Sequence, residues 1–324
     1  MNKLIIIGSG PAGYTAGIYA GRAGLNPLLF AGEKSGGQLM NTTMVENWPG
    51  AKDGVMGPKL MQDLREQAEK FGAKIVEETV TGVDFTSKVK EVYTLEVKYQ
   101  AEAIIIASGA ESIRLNIPGE ERLLGRGVAV CAVCDALFYK DKIVAVLGGG
   151  DSACEESLAL IKFAKKVYLI HRRDSLRASK IMAERVKNNQ KIEILWNTEV
   201  KEIRGESKVE EVALYSQGKF DKDNQSLNDI HHSEIGNGQI TTMKVDGVFL
   251  ALGHKPATEI FKGKIEMDEA GYIKTFNNTM TSVEGIFAAG DCVDFRYRQA
   301  VTAAGMGCQA AIDAEKYLEN KGGA

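Results

Sequence analysis

The stretch Lys3-Leu4-Ile5-Ile6-Ile7-Gly8-Ser9-Gly10-Pro11-Ala12-Gly13 decides the fold of this 324-residue chain. Its apolar first half predicts a strand that is buried on both faces, and its second half has the spacing G-x-G-x-x-G. A helical stretch and a second apolar segment, 27–30, follow. Strand, glycine loop, helix and strand in this order predict a dinucleotide-binding unit, whose backbone turns tightly and approaches a pyrophosphate at a helix N-terminus.

A second copy of this unit begins at Lys142, where an apolar strand runs into Gly148-Gly149-Gly150-Asp151-Ser152-Ala153 and a predicted helix through Phe163. The spacing is G-x-G-x-x-A. Two copies of one unit predict an α/β protein with two Rossmann-like domains and two bound nucleotides.

The two copies differ after their second strands. The first has no carboxylate at position 31, and Glu33 is the nearest candidate for a ribose ligand. The second runs into His171-Arg172-Arg173-Asp174-Ser175-Leu176-Arg177. A solvent-exposed basic loop is the simplest interpretation of this run. Its position in the repeat favours a site for the 2′-phosphate of NADP, which arginines bind through charge-assisted hydrogen bonds.

A cysteine pair, Cys131-Ala132-Val133-Cys134-Asp135, precedes the second copy. C-x-x-C spacing at a helix start lowers thiol pKa values and favours exchange between disulfide and dithiol. Asp135 is the candidate proton donor to a thiolate. Cys154 and Cys308 lie on predicted helices and are expected in the core. Five cysteines are too few for a disulfide scaffold, so a reducing cytoplasm with one redox-active pair is expected.

Composition excludes several classes of partner. The chain has 40 Lys and Arg against 43 Asp and Glu, so neither a nucleic acid nor a membrane surface is expected as a partner. No apolar run approaches the length of a membrane-spanning helix. His231 and His232 lack partners at metal-ligand spacing, so no metal site is expected. They lie in a polar stretch, 216–239, that predicts a surface excursion, and His254 is a proton-carrier candidate or a structural residue.

Several loops are compatible with ordinary turns or with a flavin pocket. They are Gly36-Gly37-Gln38-Leu39, Glu46-Asn47-Trp48-Pro49-Gly50 and the small residues Ala107-Ser108-Gly109 after a buried strand. Near the C-terminus, Gly290-Asp291 ends a long motif that places an Asp on the ribityl or pyrophosphate part of a flavin. A helix predicted over 301–321 follows.

Together with Tyr297-Arg298-Gln299-Ala300, these motifs resemble the bacterial-type, low-molecular-weight thioredoxin reductases, in order and over nearly the whole chain. The resemblance implies an FAD domain, 1–116 and 248–324, into which an NADPH domain, 117–247, is inserted. It implies a homodimer that passes electrons from NADPH through FAD to a Cys131–Cys134 disulfide and then to thioredoxin. Val133, where the family commonly has Thr, the long 216–239 stretch and Cys292 are departures from the family pattern.

The motifs and the resemblance also predict the cofactor contacts. Those expected for FAD are Gly8, Ser9, Gly10, Pro11, Ala12, Gly13, Gly32, Glu33, Gly36, Gly37, Gln38, Leu39, Asn47, Val80, Ala107, Ser108, Gly109, Gly290, Asp291, Arg298, Gln299 and Ala300. Those expected for NADPH are Gly148, Gly150, Asp151, Ser152, Ala153, His171, Arg172, Arg173 and Arg177.

The nicotinamide loop and the cysteine pair both belong to the inserted domain, and both must reach one flavin. Hydride transfer needs reacting atoms about 3–3.5 Å apart, and the resemblance implies that one orientation cannot serve both contacts. We therefore expect the inserted domain to rotate about two hinges, near 116–119 and 245–247.

Other functions are compatible with parts of the sequence. A ferredoxin–NADP reductase would lack both cysteines of the pair. A small-dithiol oxidase or a ferredoxin-fed reductase would lack the arginines after the strand that ends at Ile170. A nucleotide-binding module without catalysis leaves the redox pair unexplained. A glutathione-reductase-type enzyme would have its cysteines near the first glycine motif, and this chain has none there.

Overall fold

The computed structural model describes residues 1–42, 44–216, 230–235 and 238–322. The strands up to residue 112 are β1 (Asn2–Ile7), β2 (Leu28–Phe30), β3 (Met44–Val45), β4 (Val55–Met56), β5 (Lys74–Val76), β6 (Gly82–Asp84), β7 (Lys90–Tyr93), β8 (Lys98–Ile106) and β9 (Ala110–Ser112). The following strands are β10 (Val128–Ala129), β11 (Ile143–Leu147), β12 (Lys166–Ile170), β13 (Ile192–Leu195), β14 (Thr198–Arg204), β15 (Glu211–Ser216), β16 (Ile230–Ile235), β17 (Gly238–Lys244), β18 (Gly247–Leu250), β19 (His254–Pro256) and β20 (Ile286–Ala288). The helices are α1 (Pro11–Arg22), α2 (Gly57–Lys70), α3 (Ala132–Asp135), α4 (Asp151–Leu160), α5 (Lys180–Lys187) and α6 (Ala300–Gly322).

The chain forms two compact units, Met1–Glu111 with Lys255–Ala324, and Ser112–His254. The sheet of the first unit has the order β5-β2-β1-β8-β7-β6, and β20 also pairs with β8. Its centre is buried on both faces: Leu4 and Ile6 pack towards α1, α2 and α6, whereas Ile5 and Ile7 pack towards Phe261 and its neighbours. A strand covered on both sides has no polar face, which explains the continuous apolar run.

The second unit is built around the parallel sheet β10-β18-β11-β12-β13. On one face Val144 and Val146 pack with apolar residues of α4 and α5. On the other face Ala145 and Leu147 pack with residues of the small antiparallel sheet β14-β15-β17-β16. This mixed α/β architecture, with one βαβ unit in each half, confirms the predicted fold class.

The structure places the predicted hinge segments inside the second unit rather than at its limits. A Cβ on Gly119 would lie 1.8 Å from the carbonyl oxygen of Ile203. Gly247 begins β18 and pairs with Val144 of β11. The chain passes between the units at β9 and β19, which pair with each other. Gly119 and Gly247 thus make close contacts inside this unit, whereas Asn116 and Pro118 are exposed, and the hinges near 116–119 and 245–247 stay a prediction.

Part of the predicted excursion is a strand pair. β16 and β17 are antiparallel, with His231 opposite Thr242, whereas 217–229 and 236–237 lie outside the described residues. The side chains of His231 and His232 are also outside the description. The pattern missed β16 because it is an edge strand, which backbone pairing can hold without an apolar face. Along the described ranges, no helix has the length and apolar character needed to cross a membrane.

Candidate functional site

The first glycine motif combines glycines required by the fold with one that faces open space. A Cβ on Gly8, whose φ is +114°, would lie 2.1 Å from the carbonyl oxygen of Ala107, and one on Gly13 would lie 1.9 Å from that of Gly8. A Cβ on Gly10 would have no atom within 4 Å. Gly8 and Gly13 thus let β1, β8 and α1 approach, while Gly10 leaves a cradle that a ligand can enter.

The loop after β2 is fastened to this motif by Ser9. Its Oγ donates a hydrogen bond to the carbonyl oxygen of Ala31 at 2.9 Å and accepts one from the amide of Gly36 at 2.9 Å. Gly32 and Glu33 lie between these contacts. The side chain of Glu33 is exposed, and its amide lies 3.4 Å from Oγ1 of Thr79. The predicted loop and glycine motif are therefore adjacent.

A second side of the same region comes from distant parts of the sequence. The Asn47 side-chain amide donates to Oε1 of Gln299 at 3.2 Å. The Asp294 carboxylate accepts hydrogen bonds from the amides of Arg296, Tyr297 and Arg298, and so shapes the turn before α6. Motifs that are far apart in the chain thus meet in the first unit, as the flavin-pocket interpretation requires.

The polar groups after β8 and β20 are buried. Burial raises the pKa of the Asp291 carboxyl to about 6, with a further contribution from Asp294. Oγ of Ser108 is buried, and apart from the weak thiol acceptor of Cys292 it has no hydrogen-bond partner among the residues that the structure describes. A buried hydroxyl left in this state fits a site that receives a polar group from a bound molecule.

The positions of other predicted FAD contacts limit which of their atoms could face a ligand. Val80 is 8% exposed and belongs to the core cluster that contains Ile5 and Phe30, so only its backbone can face a ligand. Gln38 and Leu39 lie in a 3₁₀ turn, Gly37–Asn41, that begins at the second of two successive glycines with positive φ. Pro11 and Ala12 form the first turn of α1, directly after the open cradle at Gly10.

The second glycine motif repeats the first with a different support. A Cβ on Gly148 would lie 2.4 Å from the carbonyl oxygen of Ala251, and Ala153 is fully buried. A Cβ on Gly150 would have no atom within 4 Å. Sequence reasoning missed Gly149: a Cβ there would lie 2.1 Å from the ring of His171. The sequence signal that could have predicted this contact with His171 is the glycine at the middle position of Gly148-Gly149-Gly150, which the G-x-G-x-x-A spacing does not require.

The structure brings the arginine loop back onto this motif. The amide of Arg177 donates to the carbonyl oxygen of Gly149 at 2.7 Å, while the side chains of Arg172, Arg173 and Arg177 are exposed. His171 is 5% exposed, and its Nε2 lies 3.0 Å from the carbonyl oxygen of Ser175. Burial lowers the pKa of His171. The three arginines are thus exposed beside the glycine motif, and the buried ring of His171 packs against Gly149.

Asp151 has a contact that the motif does not reveal. Its Oδ1 accepts a hydrogen bond from the amide of Ser179, at 2.9 Å, and so joins the start of α4 to the start of α5. Ser152, which follows it, is half-buried in the first turn of α4. Asp151 therefore has a structural role that uses one of its carboxylate oxygens.

The cysteine pair is closed. Cys131 and Cys134 form a disulfide at the start of α3, and Sγ of Cys131 accepts a hydrogen bond from the amide of Cys134 at 3.2 Å. Burial raises the pKa of the Asp135 carboxyl to about 6. A carboxyl with this pKa is partly protonated near neutral pH and can donate a proton, which suits the thiol chemistry predicted for this segment.

The helix of the disulfide is anchored by Tyr139. Its ring packs edge-on against Phe249, with 5.0 Å between the centroids, and a Cβ on Gly247 would lie 2.2 Å from that ring. On the outer side of the same segment, Leu137 is 54% and Phe138 39% exposed. The redox segment thus has one buried anchor and one apolar outer surface.

The remaining cysteines differ from the pair. Cys154 and Cys292 are fully buried, and burial raises the pKa of each thiol to about 11. Thiols with such values remain protonated and unreactive at neutral pH. Cys308 is half-buried on α6. Cys154 therefore confirms the core prediction, and Cys308 confirms it only in part. His254, the other proton-carrier candidate, lies 3.0 Å from Oγ of Ser112.

The glycine geometry predicts separable effects of two alanine substitutions. Gly10→Ala should leave the fold intact, because Gly10 has φ −70° and open space around its missing Cβ, yet the added methyl group occupies the cradle. FAD binding should weaken by about tenfold or more. Gly8→Ala should instead lower the unfolding temperature. Thermal unfolding and FAD titration of both variants check this; a Gly10→Ala protein that binds FAD normally contradicts it.

Comparisons with known proteins agree with this geometry. The family model described as pyridine nucleotide-disulphide oxidoreductase matches residues 2–307. The thioredoxin reductase of Mycolicibacterium smegmatis is 49% identical over 98% of this chain and 97% of its own length. The bifunctional thioredoxin reductase/thioredoxin of Mycobacterium leprae is 47% identical over 100% of this chain and 67% of its own. The solved thioredoxin reductase of Giardia duodenalis has a TM-score of 0.86 and 41% identity, covering 98% of both chains.

Proposed function

The chain belongs to the pyridine nucleotide-disulphide oxidoreductases, among the thioredoxin reductases, and from this membership we propose how its own residues carry out the reaction. It is an NADPH-dependent flavoprotein that reduces the disulfide of thioredoxin. FAD, when bound, supplies the redox step that links NADPH to the Cys131–Cys134 disulfide. The closed pair at the start of α3, followed directly by Asp135, whose pKa burial raises to about 6, is the observation that carries this assignment.

The first unit is proposed to hold FAD. The open cradle at Gly10, the hydroxyl of Ser108 and the buried carboxyl of Asp291 are suited to the phosphates and hydroxyl groups of the dinucleotide. Its pyrophosphate fits the N-terminus of α1, whose first amides have no partner within the helix. The Asn47–Gln299 pair and the start of α6 would face the flavin ring.

The second unit is proposed to hold NADPH and the disulfide. The open position at Gly150 lies at the N-terminus of α4 and suits a pyrophosphate. Arg172, Arg173 and Arg177 are exposed in the loop beside it, and their guanidinium groups suit the 2′-phosphate. The two units of the structure are divided at 111/112 and 254/255, close to the predicted domain limits at 116/117 and 247/248. Any rotation that alternates nicotinamide and disulfide at the flavin would then use β9 and β19 as its hinges.

Reduced Cys131 and Cys134 would pass their electrons on by thiol–disulfide exchange. One thiolate of the pair attacks a sulfur of the thioredoxin disulfide, which forms a mixed disulfide and releases one thioredoxin thiolate. The second thiolate attacks the mixed disulfide, which closes the Cys131–Cys134 bond again and releases the other thiolate. The Asp135 carboxyl supplies a proton to a leaving thiolate and regains one from solvent.

The outer surface of the redox segment is suited to a protein partner. Val133, Leu137 and Phe138 are 73%, 54% and 39% exposed, and all three lie within four residues of a redox cysteine. Exposed apolar side chains beside a reactive disulfide favour burial against a partner surface. The Mycobacterium leprae relative, whose name joins both activities in one chain, supports thioredoxin as that partner.

A homodimer in the cytoplasm is also proposed. Tyr19 of α1 is 43% exposed, Val301 of α6 is 43% exposed, and Gly305 of α6 would place a Cβ in open space. This apolar surface supports contact with a second copy, which sedimentation velocity tests directly.

The small number of cysteines supports a reducing compartment, which localisation of a tagged chain would test.

The function is tested by anaerobic mixing of the flavin-loaded protein with NADPH, followed by oxidised thioredoxin. We expect NADPH to bleach the flavin absorbance, and thioredoxin to restore it while it becomes reduced. Bleaching by dithiols or reduced ferredoxin without a response to NADPH would indicate the oxidase or ferredoxin-fed alternative. Bleaching by NADPH without transfer to any protein disulfide would refute thioredoxin reduction.

The arginine loop predicts cofactor selectivity. Arg173→Ala should raise KM for NADPH roughly tenfold or more, because a charge-assisted hydrogen bond contributes about 1.5–3 kcal/mol. KM for NADH should hardly change, since NADH lacks the 2′-phosphate. Arg122→Ala is the control, because Arg122 bonds to the carbonyl oxygen of Glu206 instead. Steady-state kinetics with both nucleotides checks this; equal losses with both would make Arg173 structural.

A further inference from the structure

A cluster of side chains that the sequence motifs do not include lies behind the loop after β2. Arg65 of α2 is its centre. Its Nη1 donates hydrogen bonds to Oγ of Ser35 at 3.2 Å and to Oε1 of Glu77 at 2.7 Å, while its Nε donates to Oε1 of Glu69 at 3.1 Å. The contact with Ser35 is the one that reaches the loop.

Ser35, where the Arg65 cluster meets the loop, is also held by residues of α1 and of the glycine motif. Oη of Tyr14 shares a hydrogen bond with Oγ of Ser35 at 3.2 Å, and Tyr14 is 1% exposed in α1. Ser9 fastens Ala31 and Gly36 on either side of Ser35. The loop is thus attached at its two ends by the glycine motif and in its middle by Tyr14 and Arg65.

This loop needs such support because its backbone is unusually free. Gly32, Gly36 and Gly37 have φ values of +72°, +100° and +67°. Glycine residues leave the backbone of the unfolded loop many conformations, so contacts from other residues must select one of them. A loop that follows the second strand of a dinucleotide-binding unit is where the ribose of the ligand is bound.

The two glutamates orient the guanidinium group rather than the loop. Glu69 lies one turn after Arg65 in α2, and Glu77 follows β5, the strand that neighbours β2. Their hydrogen bonds, that of Glu77 first, raise the pKa of Arg65. A planar guanidinium can serve acceptors on three elements at once, which a lysine ammonium on its flexible stem does less well.

We propose that Arg65 is a positioning residue for FAD: it holds Ser35, and through Ser35 the loop 32–37, in the shape that receives the adenosine half of the cofactor. The inference rests on the FAD site proposed above for the first unit. Arg65 acts through the loop, and the cost of its loss falls on cofactor binding because the loop must then be ordered when FAD binds.

The test compares FAD binding in Arg65→Ala, Ser35→Ala and the double variant. Apoprotein is titrated with FAD, whose fluorescence reports the free cofactor, and FAD release from the loaded protein is followed after dilution. Each single variant should raise the dissociation constant about tenfold. The double variant should be no weaker than the weaker single one, because both remove the same contact.

Arg22→Ala is the matched control. Arg22 lies at the end of α1 with its guanidinium 5.1 Å from the centre of the Phe71 ring, so its removal also deletes a surface arginine contact of the first unit. It should not change FAD affinity. The unfolding midpoint of each apoprotein is measured as well, and Ser35→Ala should leave it unchanged.

The outcomes separate this proposal from the function itself. The role of Arg65 would be overturned if Arg65→Ala lowered FAD affinity no more than Arg22→Ala does. Fully additive effects on FAD affinity in the double variant would overturn it as well. A fall in apoprotein stability with unchanged FAD affinity would make Arg65 purely structural. A wild-type chain that binds no FAD would overturn the flavin site, and the role of Arg65 with it.

Discussion

Replacing Cys131 or Cys134 by serine should abolish the reduction of thioredoxin while NADPH still bleaches the flavin. The hydroxyl group of serine cannot form the disulfide that links the two half-reactions. Both cysteines lie at the start of the short helix α3, and neither is in the core, so the folded structure should persist. Stopped-flow absorbance measures the flavin step, and a coupled assay with oxidised thioredoxin measures the overall reaction.

Cys308→Ser is the control for this pair. Cys308 is half-buried on α6 and belongs to no disulfide, so its replacement should leave both reactions intact. Thermal unfolding of all three variants distinguishes lost chemistry from lost structure. Continued turnover with thioredoxin in either Cys131→Ser or Cys134→Ser would show that electrons leave the protein by another route.

Asp135→Asn should slow the exchange with thioredoxin by about 10²–10⁴-fold, the usual contribution of a general acid. Burial raises the pKa of Asp135 to about 6. The carboxyl is therefore protonated below pH 6 and loses its proton as the pH rises through that value. In the wild type, the step that needs the proton should weaken above pH 6. In Asp135→Asn that dependence should disappear, because the amide does not titrate.

The raised pKa of Asp135 also predicts the effect of Asp135→Asn on stability. A carboxyl whose pKa is raised by folding costs the folded state free energy once it ionises, so its removal should not lower the unfolding temperature at pH 7.

Asp141→Asn is the control, since Asp141 is an exposed neighbour with a positive φ that asparagine tolerates. Rapid-quench measurements from pH 5 to 8 check both variants; equal pH profiles in wild type and Asp135→Asn would exclude Asp135 as the acid.

Much of the architecture could be predicted because its causes are local in sequence. An apolar run such as β1 is required wherever helices cover both faces of a parallel sheet. The glycine spacings after β1 and β11 follow from contacts within a single strand–loop–helix unit, such as that of Gly13 with Gly8. The redox pair is likewise local, since Cys131 and Cys134 lie three residues apart at one helix start.

Other predictions lost detail because their causes are distant in sequence. His171 belongs to the predicted NADPH loop, but its burial depends on Gly149 and Trp196, which lie in two other connecting segments. Gly247 reads as a loop residue in the sequence, whereas pairing of β18 with β10 and β11 makes it part of the sheet. A hydrophobic pattern reports the period of one segment and not the segments that pack against it.

The sequence by itself determined that the chain has two dinucleotide-binding units, a redox cysteine pair and an arginine loop in the second unit. Only the tertiary structure decided that Gly10 and Gly150 face open space, that Asp135 has a pKa near 6 and that Arg65 reaches Ser35. Spacing and residue type are properties of a short stretch of chain. Burial, open space and hydrogen-bond partners depend on several segments that only folding brings together.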